Sequence, residues 1–137
     1  MIPEKKKRKS PRPISGYSVR WLKARGYRVT NAQRFVEPIK CFMDAWGFAD
    51  LLAYRSTDTG ILAVQVTDQS HVASRVNKLL GLDAVCDWVQ DPRRRLEIHG
   101  WEVRGARGKR KVMTLRRVRL QLDAEQNVVP VEIETPN

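Results

Sequence analysis

The sequence predicts an α/β domain, a mixed β-sheet flanked by helices, and three observations carry that prediction. Phe48 to Tyr54 and Ile61 to Thr67 are apolar runs separated by the turn composition Ser56 to Gly60. They read as a β-hairpin buried on both faces. An amphipathic helix follows over His71 to about Leu80, where Val72, Val76 and Leu79 share one face at 100° per residue. Beyond it, Leu96 to Val103 and Val112 to Leu122 alternate apolar and polar residues, as strands do.

In chain order, residues 1–13 hold three prolines and six Lys/Arg, so they read as a disordered basic arm. Residues 14–122 read as the folded domain and 123–137 as an acidic C-terminal tail. Ser15 or Ser18 caps a short helix that stops at Gly26. Tyr27 to Val36 reads as a strand broken by Glu37-Pro38. Ile39 to Ala45 is a connection carrying Asp44, then comes the hairpin. Thr67, Asp68 and Ser70 start the helix, whose His71, Arg75 and Lys78 form a polar stripe. Asp83 to Gln90 continues it with Val85 and Trp88 inward. Gly105 to Lys111 is a basic loop between two strands. The tail has four acids and no cation; it adds an edge strand or shields basic surface.

Charge bounds the function. The net charge is +11 and the pI near 10.3. Residues 1–40 carry twelve cations and two acids, residues 41–90 three and six, and residues 91–137 eleven and seven. An acidic middle between basic flanks suits a metal or catalytic centre inside a polyanion-binding surface. Cys41 and Cys86 form no zinc or disulfide pattern. No signal-peptide core and no run of 18 apolar residues occurs, so the expectation is an intracellular protein with no membrane partner. The setting is cytoplasmic, or nuclear if Lys5, Lys6, Lys7, Arg8 and Lys9 are a targeting signal rather than phosphate contacts. His71 and His99 are too few to suggest a histidine-based ribonuclease; His99 reads as a packing or phosphate-contact residue near Trp101.

Two polar side chains interrupt the buried hairpin. With the tip near Thr57-Asp58, paired residue numbers sum to about 115, which places Asp50 opposite Gln65 and puts Thr67 on the same face as Gln65. A carboxylate in a core strand must be compensated. The compensation is a divalent metal or a hydrogen bond from Gln65 or Thr67.

The order helix, three strands, helix, strand, with Gly47-Phe48-Ala49-Asp50-Leu51-Leu52 and Ala63-Val64-Gln65-Val66-Thr67 on the hairpin, resembles the PD-(D/E)XK nuclease superfamily. This is the restriction-endonuclease-like fold that includes Holliday-junction resolvases and the VRR-NUC group, and the resemblance spans about residues 15–103. It implies an αβββαβ core, here with an extra C-terminal strand, and Mg²⁺- or Mn²⁺-dependent hydrolysis of DNA phosphodiesters without a small-molecule cofactor. By resemblance Asp50 is the central metal ligand, Gln65 stands where the family has its second acid, and the Val66 carbonyl is the third ligand. Thr67 stands in the place of the catalytic lysine. Lys78 or Arg75 is expected to supply the missing charge, and Asp44, ahead of Glu37, the missing acid. The resemblance also implies a branched or structured DNA substrate and a homodimer. Arg75, Arg107, Lys109, Arg110 and Lys111 are the expected DNA contacts besides the arm. Two alternatives stay open: an inactive DNA-binding module on the same fold, and an RNA-binding or ribosome-associated basic protein.

Overall fold

A curled six-stranded mixed sheet with helices on its two faces makes up the body of the protein, as seen in a computed structural model that describes residues 14–135. The expectations on Lys5 to Lys9 fall outside the described residues. The chain begins with α1 (Ser15–Ala24) and β1 (Arg28–Asn31). The short strands β2 (Arg34–Val36) and β3 (Cys41–Met43) follow, joined by a 3-10 turn over Glu37–Ile39. Next come β4 (Leu51–Tyr54), β5 (Ile61–Asp68), α2 (Val72–Leu80) and α3 (Asp83–Trp88). Long strands β6 (Arg94–Arg104) and β7 (Val112–Leu122) and a final β8 (Val128–Ile133) complete it.

The sheet order is β1-β4-β5-β6-β7-β8. Neighbours are antiparallel except β5 and β6, which run parallel. A parallel pair needs a long crossover, and α2 with α3 provides it. Side-chain alternation then sorts two cores. Ala63, Leu96, Ile98 and Val118 meet Val72, Val76, Leu79 and Val85 of α2 and α3 on one face. Leu51, Leu62, Val64 and Trp101 meet Leu22 of α1 on the other. Residues 62–67 of β5 are all buried, because this strand is covered on both sides.

Several elements differ from expectation. The strand expected over Tyr27 to Val36 is two strands in two different sheets. The Asn31 side chain accepts the Gln33 N–H at 2.9 Å, an Asx turn that bends the chain away from the main sheet. The expected connection before Ala45 contains β3, which pairs with β2 as a separate ribbon. Neither Ser15 nor Ser18 caps α1: its N-cap is Ile14, and Ser18 is buried in the helix. Leu82 is extended between α2 and α3, so Asp83 starts a new helix rather than continuing the old one. The acidic tail, by contrast, takes one of its two expected roles: it supplies β8, an edge strand whose Glu132 accepts from Arg116 Nε at 2.7 Å.

Candidate active site

Asp44 and Asp50 end up side by side for a local reason. The stretch Asp44-Ala45-Trp46-Gly47-Phe48-Ala49-Asp50 is symmetric about Gly47. Ala45 and Ala49 pair as an antiparallel bridge, with N–H···O distances of 2.9 and 3.0 Å. The next cross-strand pair outward is therefore Asp44 with Asp50. Trp46 at φ 54° and Gly47 at φ 81° turn the chain in the left-handed region, which is what allows a loop this tight.

The hairpin register is the expected one. Leu51 pairs with Val64, Leu52 with Ala63 and Ala53 with Leu62. At Asp50 the ladder slips by one, its N–H donating to the Val64 carbonyl at 2.9 Å, and it is the side chains of Asp50 and Gln65 that meet. Gln65 Nε2 donates to Asp50 Oδ2 at 2.8 Å and to Asp44 Oδ2 at 3.2 Å. The Val66 N–H donates to Asp50 Oδ2 at 2.7 Å. A fourth side chain enters from the bend after β1: Gln33 Nε2 donates to Asp44 Oδ1 at 2.8 Å and to Asp50 Oδ1 at 2.9 Å. Two carboxamide NH₂ groups thus bridge two carboxylates. Gln65 Oε1 is buried and has no hydrogen-bond partner.

Asp50 is only 6% exposed, yet it borders open space. A cavity of about 400 Å³ is lined by Gln33, Asp44, Asp50, Gln65, Val66, Arg75 and Lys78, with Phe42 and Met43 at its rim. Burial, with Asp44 beside it, pushes the Asp50 carboxyl up to about 7, against the pull of the Val66 N–H and Gln65. Burial acts on Asp44 in the same direction. Its hydrogen bonds with Asp50, Gln33 and Gln65 and the charge of Lys78 outweigh burial and hold it below the usual carboxylate range. Below about pH 7 the pair is therefore one carboxylic acid and one carboxylate sharing a pocket.

The structure brings Asp44, Asp50, Gln65, Val66, Arg75 and Lys78 to one place. Thr67 is buried and does not line the cavity, and Glu37 is exposed in the 3-10 turn. His71 leaves the stripe to pair with Asp68 at 2.7 Å. Arg107, Lys109, Arg110 and Lys111 are exposed in the loop between β6 and β7. Gln33 was absent from the sequence expectations. The readable signal was the bracket of two Asp-Ala units around Gly47, which fixes the acid pair; nothing in the sequence marks Gln33 itself.

The opposite face of the sheet holds a second polar cluster. His99 is fully buried, with Nδ1 2.9 Å from Ser18 Oγ and Nε2 3.3 Å from Glu97 Oε1. The Glu97 carboxylate can only accept, so a neutral His99 carries its proton on Nε2, facing it, and the Ser18 hydroxyl, which accepts from Trp101 Nε1 at 2.8 Å, donates to Nδ1. Burial pushes the His99 pKa down and favours this neutral form. Burial pushes Glu97 up, but His99 and Arg117 reverse that and hold it well below the usual range. Arg117 Nε and Arg119 Nη2 also donate to Glu97, at 2.8 and 3.3 Å. A serine, histidine and acid in a row resemble a hydrolase triad, but Ser18, His99 and Glu97 are all sealed from solvent. They pin α1 to β6. His99 is thus a core residue rather than a phosphate contact.

An oxygen-rich cluster of this kind suits a hard divalent cation. Two carboxylates that cannot both ionise comfortably fit one, and the buried, unpartnered Gln65 Oε1 would join them with its carboxamide turned over. Among the described residues, no three His, Cys, Asp or Glu side chains converge, so any cation site here leans on the carboxamides. Also among the described residues, no helix is long and apolar enough to cross a membrane. No protein-family model matches the chain, and no curated protein or solved structure matches it significantly.

Proposed function

We propose that this protein hydrolyses DNA phosphodiesters with the help of a divalent cation, Mg²⁺ or Mn²⁺, in the manner of a PD-(D/E)XK nuclease. The observation that carries the reading is the meeting of Asp44, Asp50 and Gln65 with Lys78 and Arg75 in one open cavity. The order α1, β1, β4, β5, α2, α3, β6, with the β2–β3 ribbon inserted after β1, is compatible with the αβββαβ core the resemblance implies and supports it.

Asp50 and Asp44 would hold the cation, joined by Gln65 Oε1 once its carboxamide turns its oxygen inward. The Val66 carbonyl leaves β5 on the same edge as the N–H that meets Asp50. A cation held there neutralises phosphate charge and lowers the pKa of water. The chain's own part is positioning. Lys78 and Arg75 bring positive charge to the phosphate, which the buried hydroxyl of Thr67 cannot do. In hydrolysis the water oxygen bonds to phosphorus, the bridging P–O bond breaks, and a proton ends on the leaving oxygen. The exposed cations of the loop between β6 and β7 grip the backbone further out.

The test is cleavage of labelled linear and branched DNA with Mg²⁺ or Mn²⁺ titrated in. Metal-dependent cutting that Asp50→Ala abolishes while binding persists supports the enzyme. Cutting that survives Asp50→Ala overturns it. One observation favours a second reading, an inactive DNA-binding module: the two carboxamide groups already satisfy both carboxylates. That reading expects binding to every substrate and cutting of none.

A further inference from the structure

We infer that the β2–β3 hairpin is a stacking wedge that takes an unpaired stretch of DNA strand beside the acid pair; this rests on the reading of that site as one acting on DNA phosphates. Phe35 and Phe42 are direct cross-strand partners, with ring centroids 5.3 Å apart and planes at 63°. They remain 48% and 63% exposed, and Ile39 at the tip is 58% exposed. A large apolar patch left in water on a thin ribbon marks an interaction surface.

The register ties this patch to the site. Arg34 pairs with Met43, the last pair of the ribbon, and the residues next inward, Gln33 and Asp44, meet through their side chains at 2.8 Å. Alternation puts Gln33 and Asp44 on the same face of the ribbon as Phe35 and Phe42. The aromatic pair therefore lies two residues, about 7 Å, from Asp44 along the strand. Phe42 itself borders the cavity.

Charge selects the occupant. Lys40 and one acid, Glu37, are exposed at the turn of the hairpin and Arg34 on its other face, and Arg75 and Lys78 line the cavity it borders. A second copy would bring these same cations against one another in a chain of net charge +11. A nucleotide offers the matching pair of features, a flat apolar base to stack on a phenyl ring and a phosphate for the cations. An intact duplex hides its base faces, so the wedge selects strands with unpaired bases.

The experiment uses the full chain in EDTA, so that nothing is cut. Anisotropy of a fluorescent single strand is compared with that of its duplex for wild type, the Phe35→Leu/Phe42→Leu pair and Phe42→Trp. Leucine keeps apolar bulk but loses the stacking face. The leucine pair should weaken single-strand binding about tenfold and duplex binding less than twofold. Phe42→Trp should keep wild-type affinity and show tryptophan quenching by the single strand beyond that of the wild type. Equal losses on both substrates, no loss on either, or a dimer in sedimentation that the leucine pair dissolves while base preference stays unchanged would each overturn the wedge. Because binding is read without metal, failure of the wedge leaves metal-dependent cutting standing, and failure of the Asp50→Ala test leaves the wedge standing.

Discussion

Asp50 concentrates the chemistry of the candidate site in one residue. Its carboxyl is raised from 3.8 to about 7, so the cation-free fold holds it protonated below about pH 7. A raised pKa contributes stability that is fully present below the unfolded value and is lost as pH rises through the folded one. The cation-free protein should therefore lose stability from this group between about pH 4 and pH 7. Asp50→Asn should abolish this loss, so that the stability difference between pH 5.5 and pH 8 in EDTA moves toward higher relative stability at pH 8, read by thermal melting. The same variant should cut no DNA. Mg²⁺ should raise the wild-type melting temperature more at pH 8 than at pH 5.5, because protons compete with the cation for the acid pair. An equal rise at both values, or none, speaks against a cation at Asp50. Lys78→Ala removes charge from the cavity without touching a carboxylate. It should lower the cutting rate about 100-fold and leave the Mg²⁺-induced stabilisation in place.

Two glycines decide whether the elements can present that site. Gly47, at φ 81°, lets the loop between Asp44 and Asp50 close. An alanine there meets only Leu82 Cδ1 at 3.7 Å, so strain rather than crowding sets the effect. Gly47→Ala should destabilise by about 1–2 kcal/mol and weaken Mg²⁺ binding along with it. Gly100 in β6 acts through crowding. A Cβ there would lie 2.4 Å from Val72 Cγ2 and 3.3 Å from the Gln69 backbone, under the start of α2. Gly100→Ala should shift that helix and with it Arg75 and Lys78, costing about 1–3 kcal/mol in urea unfolding. A variant with unchanged stability and unchanged cutting would show that α2 does not rest on this contact.

At the scale of the molecule, the two faces of the sheet respond oppositely to acid. Glu97 is depressed, so its stability is present above its ordinary value of 4.5 and is lost as pH falls. His99 is depressed by burial, so its contribution is likewise lost as pH falls below 6.5. Between about pH 7 and 4 Asp50 on the other face gains stability on acidification while His99 loses it, and the Glu97 loss comes below 4.5. Acidification over pH 7 to 4 should therefore cost the wild type less stability than it costs Asp50→Asn. Chemical denaturation across that range reads the difference. The charge of the whole chain makes a separate prediction. Replacing Arg107, Lys109, Arg110 and Lys111 with glutamine should weaken DNA binding across all sequences. It should flatten the slope of log affinity against log salt by about 3. A slope that does not change would remove the loop from the interface.

What the sequence determined by itself is the central scaffold. The register of β4 on β5 followed from two apolar runs and the position of one turn, because antiparallel pairing is local arithmetic. That the side chains of Asp50 and Gln65 are neighbours followed with it, although the backbone slips by one residue at Asp50. The strand over Val112 to Leu122 and the helix over Val72 to Leu80 were legible for the same reason: each carries a single unbroken period. The tertiary structure alone decided the rest. Gln33 reaches the acid pair only because Asn31 turns the chain, and β2 finds β3 only after that turn, so neither follows from periodicity. The sealed contact of Ser18 with His99 joins residues 81 positions apart. Spacing along the chain does not encode which distant polar groups will be buried together; that is set when the helix packs on the sheet and each buried group must find a partner.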